Sequence, residues 1–308
     1  MDMNIPAALL QTNANRQLRR TTERPEFFFS DQLTARYDPD TRAIWSHWAP
    51  SPRPSFNHSL LKDLSSYCSF VTDTEGQVEC LGETMMIEYT VMASSVPGVF
   101  NLGGDLNSFI AMIENQDRTG LLSYGKACID VLYRNYIGHG LPLCTISLVQ
   151  GDCLGGGFEA ALSSDVIIAE RHARFGFPEI LFNLFPGMGA YSFLDRRVGR
   201  RVTEQLLSTG KLYSADDMLA LGVVDIVVDT GAGEAQVASL VKRNSRSRNG
   251  LLGIANARRR VNGITYQELM DVVTIWVDAA SRLTSRDLKL MYRLVSRQND
   301  ILSSAHMH

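Results

Sequence analysis

The sequence predicts an α/β fold followed by a helical region. Short, apolar, β-rich runs at 143–149 and 166–169 are typical of buried parallel strands. Helical patterns alternate with these runs, as in a layered α/β core. After about Gly231 the strand pattern stops, and only helical patterns follow. The sequence therefore divides into three segments: a loosely ordered segment over 1–25, an α/β core over 26–230 and a helical region over 231–308.

Composition excludes several classes of protein. A length of 308 residues and a hydrophobic fraction of 45% suit a globular chain. No apolar run reaches the roughly 18 residues that cross a bilayer, and the apolar piece at 5–10 precedes its arginines, unlike a secretory signal. A net charge of −3 argues against nucleic acid as a partner. Five cysteines without a CxxC pattern argue against disulfides and zinc, so we expect a cytoplasmic protein without metal or cofactor.

The first elements of the core read as a hairpin, a helix and a strand. Strand-like runs at 27–37 and 42–48 flank the turn signal Asp38-Pro39-Asp40. Apolar positions at helical spacing predict a helix over 57–70. A β-rich run then predicts a strand over 85–93.

The remaining elements alternate until the last strand. A strand is expected over 225–229, and an Arg-rich stretch over 243–250 reads as a polar connector. The other helical patterns cover residues 106–115, 119–136, 158–164, a helix that reaches 197, 201–208, 214–221, 266–281 and 285–298.

The densest chemical signal is a glycine-rich turn between a predicted strand and a predicted helix. Gly155, Gly156 and Gly157 precede Glu159, which stands in the first helical turn. Backbone N–H groups at a helix start have no internal partners, and glycine lets a ligand approach them closely. This arrangement is typical of an oxyanion hole, although close packing would also explain it. Neither a phosphate loop nor a dinucleotide-binding pattern is matched.

Two glutamates stand among apolar neighbours. Glu159 lies in Phe-Glu-Ala-Ala-Leu, and Glu179 lies in Phe-Pro-Glu-Ile-Leu-Phe. Burial raises the pKa of a carboxyl group, so one glutamate can be protonated while the other is ionised, as acid–base catalysis requires. Alternatively, each could be a structural carboxylate paired with Arg171 or Arg174.

A second glycine turn follows the strand-like run that ends at Leu102. Asp105 is placed to cap the next helix, and Gly104 could supply another backbone N–H. A plain strand-to-helix turn is the alternative.

Together these segments resemble the crotonase (enoyl-CoA hydratase/isomerase) superfamily. The matching segments, in chain order, are 102–105, 155–159, Pro178-Glu179 and the Pro-Gly-x-Gly turn at 186–189. The resemblance implies a spiral of ββα units with a C-terminal α-helical region. It also implies that Glu159 and Glu179 are catalytic and that Gly104 and Gly156 form an oxyanion hole. Which glutamate is the base and which the acid stays open.

Within this superfamily the chain is most similar to the bacterial diffusible signal factor synthases (RpfF-type). The similar strings are FNLGGDL, LGGGFEAAL, FPEILFNLFPGMGAYS and TIWVDAA. The resemblance implies dehydration of a 3-hydroxyacyl chain on acyl carrier protein, followed by thioester hydrolysis that releases a cis-2-unsaturated fatty acid for quorum sensing. A sensor kinase receiver domain is an implied partner, and a homo-oligomer (trimer or dimer of trimers) is implied by the superfamily.

Two alternatives remain. One is a CoA-dependent enoyl hydratase or isomerase, although the Asn-Leu-Gly-Gly-Asp loop differs from the family's common Ala-Gly-Ala-Asp. The other is a catalytically idle, crotonase-like regulatory binding protein, against which the presence of both glutamates counts.

An acyl chain needs an apolar binding pocket. We expect Leu154, Met188, Trp276 and Leu294 to line it, with plain core packing as the alternative for each. Six arginines of the helical region could dock an acidic acyl carrier protein, or could simply be solvated. These are Arg243, Arg246, Arg248, Arg258, Arg259 and Arg260.

Overall fold

The computed structural model describes the backbone of residues 24–305 and side chains up to residue 296. The loosely ordered segment expected over 1–25 therefore lies almost entirely outside the described residues.

Thirteen strands occur in the described part of the chain. They are β1 (Glu26–Ser30), β2 (Leu33–Asp38), β3 (Ala43–Trp48), β4 (Gln77–Cys80), β5 (Glu83–Met86), β6 (Tyr89–Ser94), β7 (Gly98–Asn101), β8 (Cys144–Val149), β9 (Gly151–Leu154), β10 (Val166–Glu170), β11 (Arg174–Gly176), β12 (Tyr213–Ser214) and β13 (Ile226–Val228).

Ten α-helices and three short 3₁₀ helices accompany these strands within residues 24–305. The α-helices are α1 (His58–Asp73), α2 (Leu106–Glu114), α3 (Arg118–Tyr136), α4 (Gly156–Leu162), α5 (Ala190–Thr209), α6 (Ala215–Ala220), α7 (Gly233–Asn244), α8 (Arg248–Val261), α9 (Tyr266–Ala280) and α10 (Ser285–Ala305). The 3₁₀ helices are Gly138–Gly140, Pro178–Phe182 and Ser245–Ser247.

Eleven strands belong to two sheets, and β4 and β5 form a separate two-stranded sheet. The larger sheet has the order β1-β2-β3-β6-β8-β10-β13 and is parallel from β3 onward. The smaller sheet has the order β12-β11-β9-β7, in which β7, β9 and β11 are parallel. From β6 to β11 each strand of the larger sheet is followed by one of the smaller sheet. This repetition produces the spiral of ββα units, so the predicted fold class is confirmed.

Both faces of the larger sheet are covered. The main core packs α1, α3 and α4 against one face. On the other face Ile146, Leu148 and Ile168 pack against Val237 and Leu240 of α7. Helix α7 thus covers the core sheet although it lies in the C-terminal region; the domain limits themselves stay a prediction.

Helix boundaries follow local capping chemistry. The side chain of Asn57 accepts a hydrogen bond from the Leu60 N–H and starts α1, and Asp105 starts α2 as expected. In α5, Gly199 has a φ of 76°, which breaks the regular helical geometry between the two helices that the sequence predicts.

Two predicted strands are wrong because each consists of two separate strands. The run 27–37 is divided at Gln32, whose N–H donates to the Ser30 side chain, so β1 and β2 form an additional hairpin. The predicted hairpin across Asp38-Pro39-Asp40 is confirmed, because β2 and β3 pair antiparallel. The run 85–93 is divided at Ile87, whose N–H donates to the Gly76 carbonyl, so β5 and β6 join different sheets.

The polar connector predicted over 243–250 is also wrong. The chain there is helical, from the end of α7 through a 3₁₀ turn into α8. Helix α8 has no buried residue, which explains its polar sequence. It is held by ionic contacts, since Arg248 donates to the Pro142 carbonyl and pairs with Glu88 at 2.9 Å.

The last two helices dock tightly on the core. A Cβ atom at Gly125 of α3 would lie 2.5 Å from Val273 of α9, and one at Gly187 would lie 2.3 Å from the Trp276 ring. Both glycines therefore allow close approach of α9. Within residues 24–305, no helix combines the length and apolarity that crossing a bilayer requires.

Candidate active site

One cavity of about 350 Å³ contains every site residue that the sequence predicts. The eight predicted residues among its lining are Gly104, Leu154, Gly156, Glu159, Glu179, Met188, Trp276 and Leu294. Residues separated by up to 190 positions thus meet at one place, and their roles are taken up below.

Glu159 projects from α4 and is 2% exposed. Its Oε1 accepts hydrogen bonds from the Met188 N–H at 2.7 Å and the Ala190 N–H at 3.1 Å. Burial raises the pKa of Glu159 to about 7, while these two donors favour the charged form. The turn at 186–189 therefore positions and stabilises the Glu159 carboxylate.

Glu179 lies in the 3₁₀ helix Pro178–Phe182. Its Oε2 is excluded from solvent and has no hydrogen-bond partner among the described residues. Burial, and then repulsion by the charge of Glu159, raises the pKa of Glu179 to about 8. Gly155 makes room for this carboxyl group, because a Cβ atom there would lie 2.5 Å from Oε1.

Neither nearby arginine neutralises the two glutamates. Arg171 pairs with Asp216 at 2.6 Å and also contacts Asp229. Arg174 donates two hydrogen bonds to Asp152, at 2.9 and 2.8 Å. The alternative that these arginines make the glutamates structural ion pairs is therefore wrong.

The N–H groups of Gly104 and Gly156 make no backbone hydrogen bond within the described residues. The two loops touch, because a Cβ atom at Gly156 would lie 3.4 Å from the Gly104 nitrogen. Both glycines line the cavity beside the glutamates. Two unpaired donors on adjacent loops have the composition of an oxyanion hole.

Tyr124 is a polar residue of this cavity to which no sequence pattern points. Its hydroxyl donates to the Phe56 carbonyl at 2.6 Å. Phe56 in turn brackets the Gly104 loop: its N–H donates to the Gly103 carbonyl, and its carbonyl accepts the Asp105 N–H. Tyr124 therefore anchors the loop that carries the Gly104 N–H.

The rest of the cavity wall is mainly apolar. Trp276 closes one side and packs edge-on against Phe109, with ring centroids 5.2 Å apart. Phe109 packs in the same way against Tyr124, at 4.8 Å. Helices of the C-terminal region thus complete a pocket whose surface suits a hydrocarbon chain.

The geometry supports acid–base chemistry on a carbonyl compound. Two coupled carboxyl groups with raised pKa values can hold one proton between them near neutral pH. Unpaired amides beside them can stabilise a developing oxyanion. Among residues 24–296, no cluster of three or more His, Cys, Asp or Glu side chains is arranged to bind a metal ion.

Three of the six arginines expected to dock a carrier protein have structural partners. Arg258 and Arg259 both bind Asp165, and Arg248 binds Glu88. The other three are exposed and form no ion pair with the described residues: Arg243, Arg246 and Arg260.

Comparison with known proteins supplies the family. A model of the enoyl-CoA hydratase/isomerase family matches residues 79–249, more than half of the chain. The probable mitochondrial enoyl-CoA hydratase 2 of Arabidopsis thaliana is 29% identical over 213 residues, which cover 69% of this chain and 64% of that protein. The chain spans less than two thirds of the length of the curated relatives that it matches.

Solved structures show the same fold. An enoyl-CoA hydratase from Bacillus halodurans has a TM-score of 0.71 at 20% identity and covers 85% of this chain and 100% of its own. DspI from Pseudomonas aeruginosa has a TM-score of 0.63 at 21% identity, with coverages of 75% and 87%. At these identities the two likenesses establish the fold alone.

Proposed function

Since this chain belongs to the enoyl-CoA hydratase/isomerase family, we propose that it dehydrates a 3-hydroxyacyl thioester carried by acyl carrier protein and then hydrolyses the product to a free cis-2-unsaturated fatty acid, a quorum-sensing signal. The observation that carries this proposal is the pairing, in one apolar cavity, of two proton-holding glutamates with two unpaired glycine amides.

Dehydration uses the two glutamates together. The thioester oxygen accepts hydrogen bonds from Gly104 and Gly156, which stabilise the negative charge that builds as the α-proton leaves. One glutamate takes the α-proton, and the other gives its proton to the 3-hydroxyl, which leaves as water. The position of the bound substrate decides which glutamate does which, so the two steps are assigned to the pair.

Hydrolysis reuses the same groups. An ionised glutamate accepts a proton from water, the resulting hydroxyl adds to the thioester carbon, and the glycine amides hold the tetrahedral oxyanion. The carbon–sulfur bond then breaks, and the carrier thiol takes the proton. The products are a free acid and the carrier thiol, with no covalent enzyme intermediate.

The carrier is proposed from charge and from loop sequence. Arg243, Arg246 and Arg260 have no ion-pair partner among the described residues and place positive charge on the C-terminal helical region, where an acidic carrier protein can dock. The Asn-Leu-Gly-Gly-Asp loop keeps its backbone N–H donors, but its sequence differs from the Ala-Gly-Ala-Asp that is common in the family. The sensor kinase receiver domain and the homo-oligomer remain predictions from the resemblance.

The decisive experiment is product analysis. Purified protein is incubated with a 3-hydroxyacyl chain on acyl carrier protein and, in parallel, on CoA, and the released lipids are identified by mass spectrometry with stereochemical standards. We expect free cis-2-enoic acid, formed faster from the carrier protein. A trans-2-enoyl or hydrated CoA ester as the main product would instead support the CoA-dependent alternative.

Carrier docking has its own test. Reversing the charge of Arg243, Arg246 and Arg260 should raise KM for the carrier-protein substrate and leave KM for a short synthetic thioester unchanged. Arg258 and Arg259 are unsuitable for this purpose, because their reversal would also break the contact with Asp165. An equal effect on both substrates would reject docking at this surface.

A further inference from the structure

The cavity extends from the two glutamates along three helices. Helices α1 and α3 run in the same direction, since the His58 ring lies 5.3 Å from Tyr124 at one end and the Tyr67 ring lies 6.3 Å from His139 at the other. Helix α4, which carries Glu159, forms the third wall.

The three helices that form the walls stop lining the cavity at about the same distance from the glutamates. The last residues that line the cavity are Leu64 on α1, Asn135 on α3 and Ser163 at the end of α4. Behind them Tyr67 and His139 are buried and do not reach the cavity. The hydrocarbon pocket therefore ends blindly at a level marked by one amide and one hydroxyl group.

The distance from the reacting groups to this end can be read along α3. Cys128 and Glu159 line the same cavity, and the charge of Glu159 acts on the Cys128 thiol, so Cys128 lies near the glutamate. Asn135 lies seven residues further on, which corresponds to about 10 Å of helix. Along α4 the same end lies four residues beyond Glu159, or about 6 Å, so the pocket suits the hydrocarbon tail of a short or medium-length acyl chain.

Asn135 is held rigidly at this end. Its Nδ2 donates to the Ser163 hydroxyl at 2.9 Å and the Ser164 hydroxyl at 3.1 Å. Ser164 shares a hydrogen bond with Ser147 at 2.9 Å, and Ser163 donates to the Ala160 carbonyl at 2.7 Å. Such a buried network fixes a side chain in one position, whereas an apolar side chain could rotate aside.

We propose that Asn135 ends the acyl subsite, so that the terminal methyl group of the substrate stops against its side chain and longer chains are excluded. Asn135 Oδ1 accepts no hydrogen bond from the described residues, so a methylene group pressed against it would leave an amide oxygen without a partner. The inference rests on the proposed function for the nature of the ligand, but it concerns binding and not turnover.

The test is equilibrium binding of straight saturated fatty acids to the full chain by calorimetry. Each added methylene group should tighten binding about fourfold until the chain reaches the blind end. Beyond that chain length the affinity should stop rising, and we call this point the break. In Asn135→Ala, which shortens the side chain by two bonds, this break should move to chains longer by roughly two carbons. In Asn135→Gln it should move to chains about one carbon shorter.

Leu132→Ala is the matched control, because Leu132 lines the side of the cavity on the same helix. It should weaken binding of all chain lengths alike and leave the break where it is. If Asn135→Ala does not fold, as melting curves will show, Asn135→Gln decides alone. A break that is absent in the wild type, or unmoved in the folded Asn135 variants, would overturn the proposal. If the protein shows the expected break but does not dehydrate the substrate, the subsite proposal stands and the proposed function fails.

Discussion

Two acidic sites of this molecule, Asp165 and the pair of Glu159 and Glu179, differ in the number of partners that compensate their negative charge. Asp165 lies at the junction of the core with α8, and its side chain is 7% exposed and surrounded by hydrogen-bond donors. It accepts hydrogen bonds from the backbone and hydroxyl of Thr145 and is bound by Arg258 and Arg259. The glutamate pair has no arginine, and one oxygen of Glu179 has no partner in the described structure.

The two sites differ in how far the unfavourable burial of charge is offset. Burying a charge is unfavourable, and at Asp165 the arginines and hydrogen bonds offset the lost hydration. At Glu159 and Glu179 the offset is incomplete, so both pKa values rise into the range where a proton can be exchanged. The site at Asp165 thus serves to attach a helix, and the glutamate pair has the raised pKa values that its proposed acid–base role requires.

The largest expected effect tests the proposed proton transfer by Glu159 and Glu179. Glu159→Gln and Glu179→Gln keep the size of each side chain but remove the exchangeable proton. We expect each variant to fold and to lose about 10²–10⁴ in kcat, the usual contribution of a general acid or base. Steady-state product formation measures this. Retention of near wild-type turnover by either variant would show that the pair does not act as proposed.

The next effect tests the structural side. Asp165→Ala leaves Arg259 partly buried without its partner, so the free energy of unfolding should fall by about 3–5 kcal/mol. Denaturant titration measures the loss, with Asp216→Ala, at an exposed ion pair, as a control expected to lose less than about 1 kcal/mol. Equal losses in the two variants would contradict the contrast between the sites.

A third prediction concerns pH and stability. Folding raises the pKa of Glu179 to about 8, so its stabilising contribution is present below the ordinary glutamate pKa and is lost as pH rises through 8. Glu179→Gln has no such loss. The free energy of unfolding of the variant, minus that of the wild type, should therefore increase by about 1–3 kcal/mol as the pH rises from 5 to 8. Exposed Glu114→Gln should show no such trend, and a flat difference for Glu179→Gln would contradict a raised pKa.

The smallest effect concerns Tyr124, which holds the Gly104 loop through Phe56. Tyr124→Phe removes the hydrogen bond to Phe56 and should lower kcat about tenfold, equivalent to roughly 1.4 kcal/mol, with little change in KM. Tyr292→Phe, at an exposed site, is the matched control. A rise in KM at unchanged kcat would assign Tyr124 to substrate binding instead.

The sequence was most informative where chemistry is local. Gly155 to Glu159 form one turn and one helix start, so their joint placement follows from adjacent residues. The convergence of Glu179 and Trp276 on the same cavity depends on the whole fold, and only the ordered motifs of a known superfamily pointed to it.

Other features could not be predicted because their partners are distant in the chain. Strand β11 has three residues, too few for a periodic pattern, and exists through pairing with β9. Asn135 is bonded to residues 28 and 29 positions away, and no local pattern marks it. Helix α8 was missed because its contacts are ionic and not apolar.

The fit of Trp276 against Gly187 has a consequence for synthesis of the protein. Among the cavity-lining residues on the described chain, Trp276 and Leu294 are the last to leave the ribosome, well after both glutamates. Until they arrive, a nascent core exposes its hydrocarbon pocket to water and to chaperones. The cavity can thus close only after α9 and the start of α10 have been synthesised.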